Sequence, residues 1–295
     1  MKPMDLLLLL TCCIAWGISL PLTSWAVTDV PPIFFAGLRF MFLGLCLIPF
    51  LRPFPKQFGL VFLIAMCIGG LHFALLFIGL EASPASAVAI VGQLGLPIVT
   101  ILSIVFLQEK VRWRRILGMS LAFAGVVVII YRPGSFSLEA GLIFVAASAF
   151  VGAVGTIIMK RIDPMPALNL QAWVGLLSFL PLFLLSALIE ENQVTSFING
   201  GPPLWAALAF TVLIVSVFGH SAYYKLLKRY EVTLLAPLTL LTPVVAVAIG
   251  ILVLHEPMTA NLLLGGGLTL AGVFLVAIRE NKSLPADAVV RAEIG

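Results

Sequence analysis

Ten apolar runs, each about long enough to cross a bilayer as a helix, restrict this chain more than any single motif does. They cover approximately 5–27, 33–51, 58–80, 84–107, 114–131, 138–158, 167–189, 203–224, 232–254 and 260–279. A helix needs about 20 apolar residues to cross roughly 30 Å of hydrocarbon, and lipid offers an open backbone no hydrogen-bond partner. Short connections between the runs hold most of the charges. Only 10% of the residues are charged, against about 25% in a soluble domain. The chain therefore uses lipid as its solvent, and the expected fold is an all-α membrane protein of ten transmembrane helices.

The first run, MDLLLLLTCCIAWGISLPLTSWAV, also invites reading as a signal sequence, or as a lipoprotein signal ending at Cys12. Its apolar stretch exceeds the about 7–15 residues of a signal core and lacks a good small-residue cleavage site, so it is read as the first span. Cys12, Cys13, Cys46 and Cys67 lie in apolar runs without CxxC spacing, which favours packing over a disulfide framework or a metal site. No cofactor or metal is expected.

Lys and Arg collect in short cytoplasmic loops. With both termini inside, 15 of the 17 basic residues fall on the cytoplasmic side; Arg132 falls outside and Arg39 lies within a span. The net charge of +4 thus reflects topology and gives no case for a nucleic-acid partner. Residues 281–295 read as a short polar cytoplasmic tail.

Residues 108–125, QEKVRWRRILGMSLAFAG, and 255–272, HEPMTANLLLGGGLTLAG, share a framework at a shift of 147. Glu109 meets Glu256, Gly118 meets Gly265, and Ala124-Gly125-Val126 meets Ala271-Gly272-Val273. A half with five spans sends its second copy into the membrane from the opposite side. The first connection is then cytoplasmic and basic, the second external and stripped of charge. The expected organisation is 1–132 and 133–280 as two inverted five-helix repeats, an architecture of secondary transporters.

On these features the sequence resembles the drug/metabolite transporter superfamily, specifically EamA-type ten-helix proteins. The resemblance covers residues 5–280 and is carried by Trp16-Gly17, AGLRF at 36–40, Pro97 followed by Glu109 and Gly118, and Pro243 followed by HEP at 255–257 and Gly265. QEK at 108–110 departs from the family's more usual Gly-Glu-Pro-like turn. The resemblance implies a solute carrier of the bacterial inner membrane with a central cavity, often exporting amino acids. It looks most like the aromatic-amino-acid exporter type.

Ionisable residues within spans are costly and are default functional candidates. His72 and His220, 148 residues apart and each close behind a glycine, are expected as symmetry mates that hydrogen-bond substrate or titrate near neutral pH. Arg39, about six residues from its span's outer end, is assigned a structural or gating role ahead of direct binding. Pro97 and Pro243 interrupt corresponding spans, the pattern that points to a transporter binding site, and Gln93 is the uncharged polar contact one turn earlier. Trp16 and Tyr223 are expected to stack on substrate. Gly118, Gly125, Gly265 and Gly272 read as close helix packing, and Glu109 and Glu256 as helix caps or loop contacts.

The expected function is alternating-access transport of small metabolites, amino acids foremost, in the export direction. Proton antiport of drugs or other metabolites and channel-like facilitation stay open, with protons a candidate coupling ion and a monomer compatible with the sequence. An intramembrane enzyme is disfavoured, since no HExxH, acidic pair or Ser-His constellation occurs at useful spacing.

Overall fold

The computed structural model of the chain describes residues 1–108, 113–132, 137–163, 165–227, 229–230, 235 and 238–277. Eight of its helices are long and apolar enough to cross a membrane: α1 Pro3–Val27, α3 Phe58–Ala82, α4 Ala85–Phe106, α5 Trp113–Ile130, α6 Ala140–Met159, α7 Ala167–Ile189, α8 Leu204–Tyr223 and α10 Ala260–Ala277. Two more, α2 Pro32–Cys46 and α9 Leu241–Leu252, are apolar but shorter. Eight of the ten expected runs are thus described as full-length helices and two as shorter ones. The expected 33–51 run stops at Cys46 and passes into a 3-10 turn, Ile48–Phe50, because Pro49, Pro53 and Pro55 remove successive backbone donors. The described part of the expected 232–254 run is helical at Leu235, at Leu238 and over Leu241–Leu252. A two-residue pairing of Tyr131–Arg132 with Ser137–Leu138 is a small departure from an all-helical fold.

The packing carries the internal repeat. A side-chain carbon on Gly118 would meet the carbonyl of Gly272, and one on Gly272 the carbonyl of Gly118; Gly125 and Gly265 face each other in the same way. As residue numbers rise along α5 they fall along α10, so the two helices cross antiparallel. The 147-residue shift turns the first glycine pair into the second, as a two-fold axis between the helices requires. With no hydrophobic driving force between helices in lipid, this close approach is what binds them. Gly44 and Gly175 provide a second such contact, between α2 and α7.

Helix ends repeat the relation. Gln108 and His255, also 147 residues apart, both adopt the left-handed conformation, with φ of 53° and 55°. Gln108 is the C-cap of its helix and His255 lies three residues past the end of its own, and each precedes a glutamate. The Glu256 carboxylate accepts the backbone N–H groups of Ala85 and Ser86 at 2.6 and 3.0 Å, capping α4 where the helix dipole is positive. Glu109 lies outside the described residues. Glu190, at the end of α7, caps α2 through the N–H groups of Ile33 and Phe34 at 2.7 and 2.9 Å.

Glu256→Ala leaves two buried donors without an acceptor. It is expected to cost about 1–3 kcal/mol, read as a lower thermal midpoint of the detergent-solubilised protein. Glu256→Gln, which keeps one acceptor, is expected to fall between. An unchanged midpoint in both variants would remove the cap from the account of stability.

Candidate functional site

The sequence places unusual helical turns at equivalent points of α3 and α8. Ala65–Leu71 and Phe210–His220 are π-helical, and they lead directly to His72 and end on His220, respectively. A π-helix turn is wider than an α turn and often marks a functional site. In α8 the widened turn lets the His220 Nδ1 reach the Val215 carbonyl at 3.0 Å. A carbonyl only accepts, so Nδ1 carries the proton and Nε2 is left as an acceptor. The Trp16 Nε1 donates to the same carbonyl at 3.4 Å.

These groups meet at a cavity of ≈ 250 Å³ between α1, α2, α3 and α8. Its wall contains Trp16, Ser19, Leu20 and Thr23 from α1, Arg39 from α2, Phe73, Leu76 and Phe77 from α3, and Val215 and His220 from α8. The α1 and α3 residues repeat at three and four positions, one face of each helix. The Trp16 ring centroid lies 5.5 Å from that of His220 and 5.4 Å from that of Tyr223. Tyr223 thus backs the wall without being one of the residues that line it.

Arg39 is 6% exposed, within the bundle and not at the headgroups. Its guanidinium carbon lies 4.4 Å from the centroid of the Phe73 ring, and its Nη2 is 3.4 Å from the Ser216 hydroxyl. No carboxylate pairs with it among the described residues.

His72 faces elsewhere. Its Nδ1 lies 2.9 Å from the Ser148 carbonyl and 2.8 Å from the Ser148 hydroxyl, against Gly152 of α6. It touches the cavity wall only through Phe73, edge to face at 4.9 Å. Sequence equivalence with His220 therefore extends to the preceding π-helical turn and stops at the surroundings of the ring.

Pro97 and Pro243 are buried third residues of the helical segments Gly95–Leu107 and Leu241–Leu252, where a missing N–H interrupts little. The 3-10 turn Gly92–Leu94 precedes the first of them and holds a half-buried Gln93. Neither proline, nor Gln93, is among the residues lining the cavity. Ser19, Thr23, Phe73, Leu76, Phe77 and Ser216 were not singled out from the sequence. The available signal was a Ser and a Thr at helical spacing from Trp16 inside an otherwise apolar run.

The lining residues of α1 and α3 lie toward the end that carries the 27–32 and 82–85 connections. The opposite end is packed among the described residues. Leu9, Cys13, Leu226 and Leu235 form a small apolar cluster there. Beyond it Asp5, 7% exposed, accepts from the Tyr230 hydroxyl at 2.7 Å and pairs with Arg229 at 3.3 Å.

A family model described as the EamA-like transporter family matches residues 4–131 and 139–278, one copy on each half. Among curated proteins, the chain is 29% identical to a "Probable amino-acid metabolite efflux pump" of Salmonella typhimurium, over 93% of this chain and 95% of that one. It is 28% identical, over the same shares, to a protein of that name in Escherichia coli. A solved crystal structure superposes over 100% of both chains with a TM-score of 0.63 at 20% identity, a likeness of fold.

Proposed function

We propose, for a chain that belongs to the EamA-like transporter family of the drug/metabolite transporter superfamily, that it is a secondary carrier exporting small amphipathic metabolites, amino acids foremost, by alternating access. The chain is a multi-pass membrane protein, and its relatives are named as transporters and efflux pumps. The observation that carries the finer reading is the cavity between α1, α2, α3 and α8. It combines one cation, one imidazole acceptor and an aromatic wall at mid-bundle, with one end of the bundle packed among the described residues. Its volume lies just below the about 300–1,000 Å³ of drug-sized pockets, which suits a solute of single-amino-acid size.

The ten helices form two inverted five-helix repeats, 1–132 and 133–280, with both termini cytoplasmic in a bacterial inner membrane. In this orientation the cavity lies in the outer half, and the Asp5–Tyr230–Arg229 cluster with the apolar cluster above it closes the cytoplasmic end. Export requires that end to open, parting α1 from α8 and the segment after it. Trp16, backed by Tyr223, supplies an apolar face for the solute's side chain, and His220 an acceptor for its N–H.

The test is uptake of a panel of labelled amino acids into liposomes containing the purified protein, with and without a pH gradient. Saturable, competable uptake is the expected result; flux of no amino acid would sink the substrate class. Trp16→Ala removes the largest aromatic of the wall and is expected to raise KM about tenfold, the equivalent of about 1.4 kcal/mol of contact. An unchanged KM would take Trp16 out of the binding surface.

A further inference from the structure

We propose that Arg39 anchors a carboxylate of the transported solute, so that the carrier selects acids and zwitterions over the corresponding amides; this rests on the carrier reading above. The Arg39 guanidinium is an unbalanced charge among the described residues. The other buried or half-buried charged groups described above are each satisfied twice: Asp5 by Tyr230 and Arg229, Glu190 by two N–H groups, Glu256 by two more. Arg39 has no such set. Its Nε is enclosed and has no hydrogen-bond partner, and its Nη2 has one neutral acceptor at the long distance of 3.4 Å.

That acceptor cannot offer more. The Ser216 hydroxyl donates its own proton to the Thr211 carbonyl at 2.9 Å, leaving only a lone pair for the guanidinium. The face of Phe73 at 4.4 Å attracts the cation without taking a hydrogen bond. The Nε–H and the neighbouring Nη2–H lie parallel on one edge of the guanidinium plane, the geometry that a carboxylate accepts in bidentate fashion. Arg39 lines the cavity, whose other walls include Leu20, Leu76 and Phe77, so an anion held there has room for a hydrocarbon body. Among the described residues, no Asp or Glu lines the cavity to compete for the cation. The Ser216 and Phe73 contacts hold the guanidinium at the cavity wall.

A lipid phosphate offers similar chemistry, so the test separates the two sources. The full-length protein is reconstituted in phosphatidylcholine vesicles, with and without phosphatidylglycerol. Uptake of labelled phenylalanine, leucine and threonine is measured with unlabelled amino acid or its amide as competitor. The expected result is that the amides compete at least about tenfold more weakly than the acids, in either lipid. Arg39→Gln is expected to lower uptake of the acids by at least about tenfold and to erase that preference, with Arg39→Lys, a cation without the planar fork, intermediate. Equal competition by acid and amide in the unaltered protein overturns the proposal without needing any variant to fold. A preference that disappears when phosphatidylglycerol is added assigns the guanidinium to lipid and overturns it as well. If none of the amino acids moves, the amino-acid carrier reading fails first and the anchor falls with it; acid transport without acid preference refutes the anchor alone.

Discussion

Gly125→Leu is expected to leave no monodisperse protein after detergent extraction. A carbon at this position already meets the Thr269 side chain and the backbone of Gly265 and Thr269, so the larger side chain must push α10 away from α5. Overpacking of this kind typically costs about 1–3 kcal/mol against mobile neighbours, and here two of the opposing atoms belong to the backbone. The loss takes a large part of the about 5–15 kcal/mol that holds a folded chain together. Gly267→Leu is the control within the glycine run of α10. That position is exposed with nothing within 4 Å of an added carbon, and the change is expected to be neutral or slightly stabilising through better helix propensity. Equal recovery of both variants on size-exclusion chromatography would refute the α5–α10 contact as the joint between the halves.

His220→Leu is expected to lower transport by about 10–100-fold while the folded protein is retained. The ring is fixed by its Nδ1 bond to the Val215 carbonyl and by the Trp16 ring, so its Nε2 is available as an oriented acceptor on the cavity wall. Losing a hydrogen bond to a charged solute group removes about 1.5–3 kcal/mol, which sets the scale of the effect. His220→Gln keeps an acceptor and is expected to recover part of the rate. Normal transport by the leucine variant would remove His220 from the mechanism.

His72 offers an instructive contrast. Its ring nitrogen is occupied by Ser148, and it reaches Arg39 only through Phe73, so its replacement acts on the cavity at one remove. Sequence spacing paired the two histidines because the repeat offset is visible in the chain. Which neighbour each ring meets depends on helix rotation, and apolar runs with little amphipathic pattern carry no signal of rotation. Arg39 shows the same limit. Its distance from the span end allowed the side chain to reach the headgroups, whereas packing turned it toward α8 and the cavity.

The duplication, by contrast, was legible to the level of single contacts. Gly118, Gly125, Gly265 and Gly272 recur at the repeat offset because each must admit a backbone from the other half. Glu256 was readable as a cap from its place after a helix. Its partners were not, nor those of Glu190: Ala85 and Ser86 lie 170 or more positions from Glu256, and Ile33 and Phe34 more than 150 from Glu190. Span 2 was overextended for a simple reason: Ile48-Pro49-Phe50 is as apolar as the helix before it, and composition alone does not register the missing proline donor. Hydrophobicity shows where the chain meets lipid, while capping, close approach and polar satisfaction decide how the helices meet one another.

The measurement that bears most directly on the central claim is counterflow. Proteoliposomes are preloaded with an unlabelled amino acid, and entry of the same labelled amino acid is followed against its own chemical gradient. A carrier that alternates around one cavity predicts a transient overshoot of label, saturable and dependent on the internal solute. Label that only equilibrates, at a rate indifferent to the solute inside, would contradict alternating access and leave a channel.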